Sequence, residues 1–142
     1  MKNIYSKIDG KRILHTVYRL NDLKEDREDF TSEDKYLQGA VIKFNKGKKF
    51  KAHQHIHCER TTDITQETWV VIEGSVLVKY YDLDDQYLTE ETINSGDCTI
   101  TFAGGHSFEG IDENTIVYEF KSGPYYGRNA DKVDIMEETQ GK

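Results

Sequence analysis

Three of the chain's five histidines fall at alternate positions of KAHQHIHCER, residues 51–60. Neutral imidazoles are good donors to first-row metal ions. An extended strand sends residues i and i+2 to one face, so His53 and His55 can converge on one point. On the residues alone, three readings of the run stay open. It is a polar strand face, an unstructured metal-scavenging tract, or part of a metal site completed elsewhere in the chain. Cys58 has the opposite parity to His55 and His57, which argues against the thiol as a ligand. Downstream, Glu67 shares a strand face with Trp69 and Val71 in ETWVVIE. A carboxylate buried there needs a partner, metal or otherwise.

The elements that must position these side chains read as strands. In YLQGAVIKF, Ala40, Ile42 and Phe44 share one face. Asn45-Lys46-Gly47 reads as a turn and KKFKAHQHIH as the next strand. The run from Gln66 to Phe102 is a series of strands divided by turn chemistry at Gly74, where the first pair breaks, and at residues 82–86 and 94–97. Gly104-Gly105 and residues 112–114 punctuate the rest, and TIVYEF is the last strand. The only proline, Pro124, follows it, and a proline-free body suits a densely paired sheet. Short strands at regular intervals predict an all-β sandwich or barrel. Residues 1–34 read as an N-terminal extension in which ILHTVYRL is an edge strand. Residues 35–122 form the β-body and residues 123–142 a C-terminal tail.

Composition bounds the partners. At 142 residues the chain is one domain's length, long enough for a core without disulfide staples. Nine Tyr, six Phe and one Trp set it apart from disordered chains. The net charge is −7, and the stretch from Asp22 to Asp34 alone carries −5. That stretch reads as a solvated loop or a short surface helix. Phosphate backbones and anionic membranes repel such a chain, which disfavours nucleic acid and lipid as partners. MKNIYSKIDGKR has no apolar leader segment and no window reaches the length of a membrane span. The expectation is a cytoplasmic protein with Cys58 and Cys98 reduced.

The wider pattern carries a resemblance. Gly47, His53 and His55 give G-x5-H-x-H, and Glu67 and Gly74 give E-x6-G. Gly96-Asp97 then opens a strand that ends in FAGGH, with His106. This order, over residues 36–120, resembles the two-motif signature of the cupin superfamily. The resemblance implies a double-stranded β-helix, a jelly-roll barrel of two sheets. It also implies a divalent metal near the wider mouth, held by His53, His55, Glu67 and His106. Two departures stand out. Eleven residues separate His55 from Glu67, more than the family usually has, and residues 57–65 read as an extended loop, an insertion that costs little. Phe102 stands where the second motif usually has proline, and its histidine is displaced by one residue. The pieces TQE, GGHSFE and KSGPYYG…DK resemble small single-domain cupins of bacterial surface-polysaccharide and nucleotide-sugar pathways. They imply a carbohydrate context and a homodimer.

Imidazoles with one carboxylate suit Fe, Mn, Ni, Cu or Zn and single out none. Such an ion, with positions left open, polarises a carbonyl or vicinal hydroxyls, or binds O₂ if it is iron. Isomerisation, epimerisation and oxygenation of a small sugar-derived substrate all fit. So do non-catalytic capture of a saccharide and a purely structural metal. Trp69, Tyr125 and Arg128 are candidate substrate contacts: aromatic rings for a sugar face and a guanidinium for phosphate. Trp69 also reads as core, and the tyrosines with Arg128 as a tail packed on the exterior or on a partner subunit. His57 and Glu109 read either as proton-transfer groups beside the metal or as a loop histidine and an exposed carboxylate. Tyr80, Tyr81, Tyr118 and Phe120 read as packing residues. Lys46, Lys48, Lys49 and Lys51 either attract an anionic ligand or protect a sheet edge.

Overall fold

The computed structural model describes residues 1–136. The chain is mostly strand, and its pairings are antiparallel. In chain order the strands are β1 (Lys2–Tyr5), β2 (Ile13–Tyr18), β3 (Arg27–Asp29), β4 (Ala40–Ile42), β5 (Glu67–Glu73), β6 (Ser75–Tyr81), β7 (Tyr87–Asn94), β8 (Cys98–Thr101), β9 (Gly105–Gly110) and β10 (Ile116–Lys121). A single helical turn, α1 (Arg128–Asp131), follows. A five-stranded sheet has the order β1-β2-β8-β5-β10, a three-stranded sheet the order β7-β6-β9, and β3 pairs with β4 alone. The two larger sheets share no strand pairing, so the barrel is not closed.

The alternation in each strand decides which side chains meet between the sheets. Ile4, Val17 and Val71 come from the larger sheet; Val76, Val78, Tyr80 and Ile93 come from the smaller. Leu88, Phe108 and Val117 pack against them. These residues form one apolar layer, the standard way for two half-polar sheets to hide their inner faces. Tyr80, fully buried, satisfies its hydroxyl on Thr99 Oγ1 at 2.8 Å across that layer.

Most of the expected turns do different work from what their residues suggest. Gly74 does not close a hairpin: β5 and β6 lie in different sheets. It turns a corner at φ +75°, and an added Cβ would stand 2.5 Å from Thr115 Oγ1. Residues 94–97, 104–105 and 111–115 likewise carry the chain from one sheet to the other. Asp97 fixes the corner after β7: Arg19, Leu20 N–H and Asn94 N–H all donate to its carboxylate, at 2.9 to 3.1 Å. Residues 82–86 do make the expected hairpin, with Asp82 N–H donating to Gln86 O at 2.8 Å.

The N-terminal residues depart from expectation. ILHTVYRL supplies β2, which is an interior strand between β1 and β8 rather than an edge. Its backbone pairs on both sides and its side chains are almost all buried, so the first eighteen residues belong to the main sheet. The acidic stretch is neither simple loop nor α-helix. A 3-10 turn at Leu20–Asp22 leads into β3, whose Arg27 pairs with Asp29 at 2.6 Å. Among the described residues no helix is long and apolar enough to cross a membrane.

The largest difference lies at KKFKAHQHIH. Asn45-Lys46-Gly47 turns as expected, with Lys48 N–H donating to Asn45 O at 3.0 Å. The chain beyond it, to residue 62, carries no strand and is almost wholly exposed. Phe50 and Ile56 stand in solvent there, as does Phe44 just before the turn. Without a ladder partner, alternation of side chains has no sheet face to select.

Candidate functional site

Glu67 opens β5 on its inward face, two residues before Trp69 and four before Val71. Only 4% of its surface is accessible. Directly across the gap, β9 presents His106 and then Phe108. Strand parity thus builds two matched pairs between the sheets. Trp69 and Phe108 stack with ring centroids 3.7 Å apart and planes 3° from parallel. His106 Nε2 lies 3.3 Å from Glu67 Oε1. The Trp69 indole N–H donates to the same oxygen at 2.9 Å. Lys132, from the segment after α1, brings its ammonium within 3.5 Å of Oε2.

Burial opposes ionisation of Glu67, but His106, the Lys132 ammonium and the Trp69 indole outweigh it. They hold the carboxyl well below its usual range. It is a firmly charged, fully engaged carboxylate rather than a general base for neutral pH.

These groups line a cavity of about 590 Å³. Its walls include Glu67 and Trp69 from β5, Thr101 from β8, His106 and Phe108 from β9, and Tyr81 from β6. Residues from 128 to 135 form a further wall together with Ile64 and Thr65, whose hydroxyl donates to Asp131 Oδ1. Five carboxylates face two cations, Arg128 and Lys132, among the lining residues, so the lining favours a cation over an anion. Gly104 sits at the floor with φ +75°. A Cβ there would lie 2.5 Å from Tyr81 O, so only glycine lets the chain pass from β8 to β9 at this depth.

His15 lies just beneath. It is fully buried, with Nδ1 3.0 Å from Thr101 Oγ1 and Nε2 3.4 Å from Tyr81 O. Burial pushes its pKa down to about 3, so the ring is neutral. Nothing in ILHTVYRL marked His15 as part of the site's support; its parity with the core residue Val17 gave no such signal. Lys132 and Asp131 were equally hidden, since only the return of the chain over the cavity places them there. Among the described residues, the buried side-chain polar atoms with no hydrogen-bond partner are His106 Nδ1 and Asp131 Oδ2. Both belong to residues lining this cavity.

Of the four expected metal ligands, Glu67 and His106 come together; His53 and His55 do not join them. Those two rings stand exposed, 5.6 Å apart, with His53 Nδ1 bonded to Lys51 O at 2.9 Å. Among the described residues no three His, Cys, Asp or Glu side chains are grouped as a metal site. Trp69 and Arg128 line the cavity as expected of ligand contacts. Arg128 also pairs with Asp134. Tyr125 does not line it: its ring takes the Lys121 ammonium at 4.1 Å on the exterior. His57, Cys58 and Glu109 are exposed. Tyr118 and Phe120 are exposed on the outer face of β10 rather than packed. Lys48 pairs with Asp26 at 3.4 Å and guards no sheet edge. Phe102, where the cupin resemblance expects proline, is buried under Lys35. Residues 137–142 of the expected tail lie outside the described residues.

Fold and site define an all-β protein with a carboxylate–imidazole pair at a cavity between its two larger sheets. No family model, no curated protein and no solved structure matches this chain.

Proposed function

We propose that this chain is a cupin-type protein that binds a divalent transition metal and a small polar, sugar-derived ligand in the cavity between its sheets. The observation that carries the reading is the meeting of Glu67 and His106. They come from opposite sheets and from sequence positions 39 residues apart, yet stand 3.3 Å from each other at the cavity. The unpartnered Nδ1 of His106 and the acidic lining agree with a polar or cationic occupant. Glu67 and His106 would hold the ion with His53 and His55. The segment bearing those two runs directly into Ile64 and Thr65 of the cavity wall. β9 and β10 are edge strands with free outer rims, and Phe44, Phe50 and Ile56 are exposed apolar side chains without a core. Both features support docking of this segment beside the cavity. The bound ion, iron, manganese, nickel, copper or zinc, would polarise a carbonyl or hydroxyl of the ligand.

This chain's own residues supply the rest. The Trp69–Phe108 stack gives an apolar wall suited to the C–H face of a sugar ring. Arg128, whose guanidinium pairs with Asp134 in this structure, would exchange that partner for a phosphate. The full engagement of Glu67 favours capture over proton transfer, so the second reading is a non-catalytic saccharide-binding module. The exposed Ile116, Tyr118 and Phe120 along edge strand β10 support a homodimer.

Metal analysis of the purified chain tests the proposal. His53→Ala or His55→Ala should remove stoichiometric metal, and His57→Ala should not. Equal loss in all three variants, or retention in all three, sinks the ligand assignment. Turnover of a sugar nucleotide selects the enzyme; saturable binding without turnover selects the module.

A further inference from the structure

The cavity between the sheets is lined by two residues whose polar atoms are left incomplete. His106 Nδ1 and Asp131 Oδ2 are, among the described residues, the buried side-chain polar atoms without a hydrogen bond. They come from different walls, His106 from β9 and Asp131 from the end of α1. Glu67 fixes what the first of them can do. An ionised carboxylate only accepts, so the His106 Nε2 that stands 3.3 Å from Glu67 Oε1 carries the ring's proton. In that neutral tautomer Nδ1 is an acceptor. Asp131 Oδ1 accepts from Thr65, and Oδ2 is a second acceptor with no donor.

Buried acceptors cost free energy until a donor completes them, and the surrounding charges decide which kind of donor fits. Of the lining carboxylates, Glu67 faces Lys132 and Asp134 faces Arg128. Asp82 accepts from the Ser6 hydroxyl and from the N–H groups of Lys7 and Leu83. Asp131 has the Lys121 ammonium 3.8 Å from Oδ2, near enough for charge and too far for a hydrogen bond. What Asp131 lacks is a hydrogen bond rather than a counter-charge. A second ammonium at Oδ2 would repel Lys121; a hydroxyl would not. The cavity, about 590 Å³, has the size of a small-molecule site. The His106 ring lies 4.9 Å from that of Phe108, so one acceptor adjoins the apolar Trp69–Phe108 wall.

Resting on the ligand half of the function proposed above, and not on its metal, we propose that the cavity takes a neutral polyhydroxylated ring whose hydroxyls donate directly to His106 Nδ1 and Asp131 Oδ2. These two residues are its specificity-determining contacts. They select two ring positions by the proton each hydroxyl can give, while Trp69 and Phe108 take C–H surface. Lys121 stays with Asp131, and His106 and Lys132 stay with Glu67, so the bound state keeps the ion pairs of the free one.

The test uses the full chain in EDTA, with D-glucose, D-galactose, D-mannose and D-glucosamine as probes. The readout is the fluorescence of Trp69, the chain's only tryptophan. At least one neutral sugar should give a saturable change. Its deoxy analogues, taken one ring position at a time, should bind about tenfold more weakly at two positions. Fluoro analogues at those positions accept but cannot donate, and should be as weak as the deoxy ones. Asp131→Asn puts a donor of nearly the same shape in place of Oδ2. It should weaken the parent sugar to the level of one deoxy analogue and leave that analogue's own affinity unchanged. Fluoro analogues as strong as the parent sugar overturn the donor assignment and leave saccharide binding standing. Tighter binding of D-glucosamine than of every neutral sugar overturns the neutral class. Binding that appears only when Mn(II) or Zn(II) replaces EDTA overturns direct contact and leaves the metal reading standing. No binding of any probe, with or without those ions, overturns both.

Discussion

Two regions carry the candidate donors, and they could hardly differ more. Glu67 sits on the interior strand β5 and His106 on β9, paired with β6 in the facing sheet, and both pack beside a parallel aromatic pair. His53 and His55 sit on an exposed segment with no ladder hydrogen bonds. In the first region strand parity is converted into position, because each inward residue has an opposing sheet to meet. In the second the same parity exists in the sequence and positions nothing. The lesson is that alternation is only half of a strand; the other half is a free edge that accepts it.

Substitutions can break or sharpen this contrast. The largest effect should come from glycines that look alike in sequence. Gly104→Ala forces positive φ and a clash with Tyr81 O, and should cost about 3 kcal/mol. Gly47→Ala has the same sign of φ but open space around it, and should cost about 1 kcal/mol or less. Chemical denaturation measures both, and similar losses would mean that the exposed segment is packed in solution.

Next comes the pH dependence beneath the site. The folded pKa of His15, about 3, lies below its unfolded value of 6.5. The unfolded chain therefore binds the extra proton as pH falls between those values. Stability present above pH 6.5 is lost progressively toward pH 3. Between pH 7 and pH 4.5 this amounts to about 2–3 kcal/mol. His15→Gln should flatten that part of the profile, and an unchanged profile would remove His15 as its source.

Glu67→Gln should weaken metal retention by at least about 100-fold, at the upper end of what loss of a mere supporting partner does. Glu109→Gln, exposed on the strand that carries His106, should leave it within about twofold of wild type. Titration with a competing chelator reads both. The smallest effect falls on stability. His53→Ala and His55→Ala should change the unfolding free energy by less than about 0.5 kcal/mol, as expected for exposed side chains. A larger loss without metal would place those rings in a packed interface.

Much of the all-β body was legible. ETWVVIE, SVLVKYY and TIVYEF alternate cleanly, and each forms a strand within a residue or so of where its pattern ends. The inward placement of Glu67 beside Trp69 followed from parity. Less of the site was legible. His15, Lys132 and Asp131 reach the cavity from the second strand and from beyond the last one, and no local pattern marks a residue for contact with a distant one. Phe44, Phe50 and the alternate histidines carry a strand's composition, yet the structure leaves them unpaired.

By itself the sequence determined most of the strands from β5 to β10, where glycine must allow a turn, and which side chains of each strand share a face. Those are local properties, set by backbone sterics and by the two-residue repeat of extended chain. Only the tertiary structure decided that Gly74 and Gly104 are corners between sheets, that β2 is interior, and that a lysine from the chain's end seals a carboxylate near its middle. These depend on which strand edges meet and which charges lose their water together, and such choices are made between segments rather than within them.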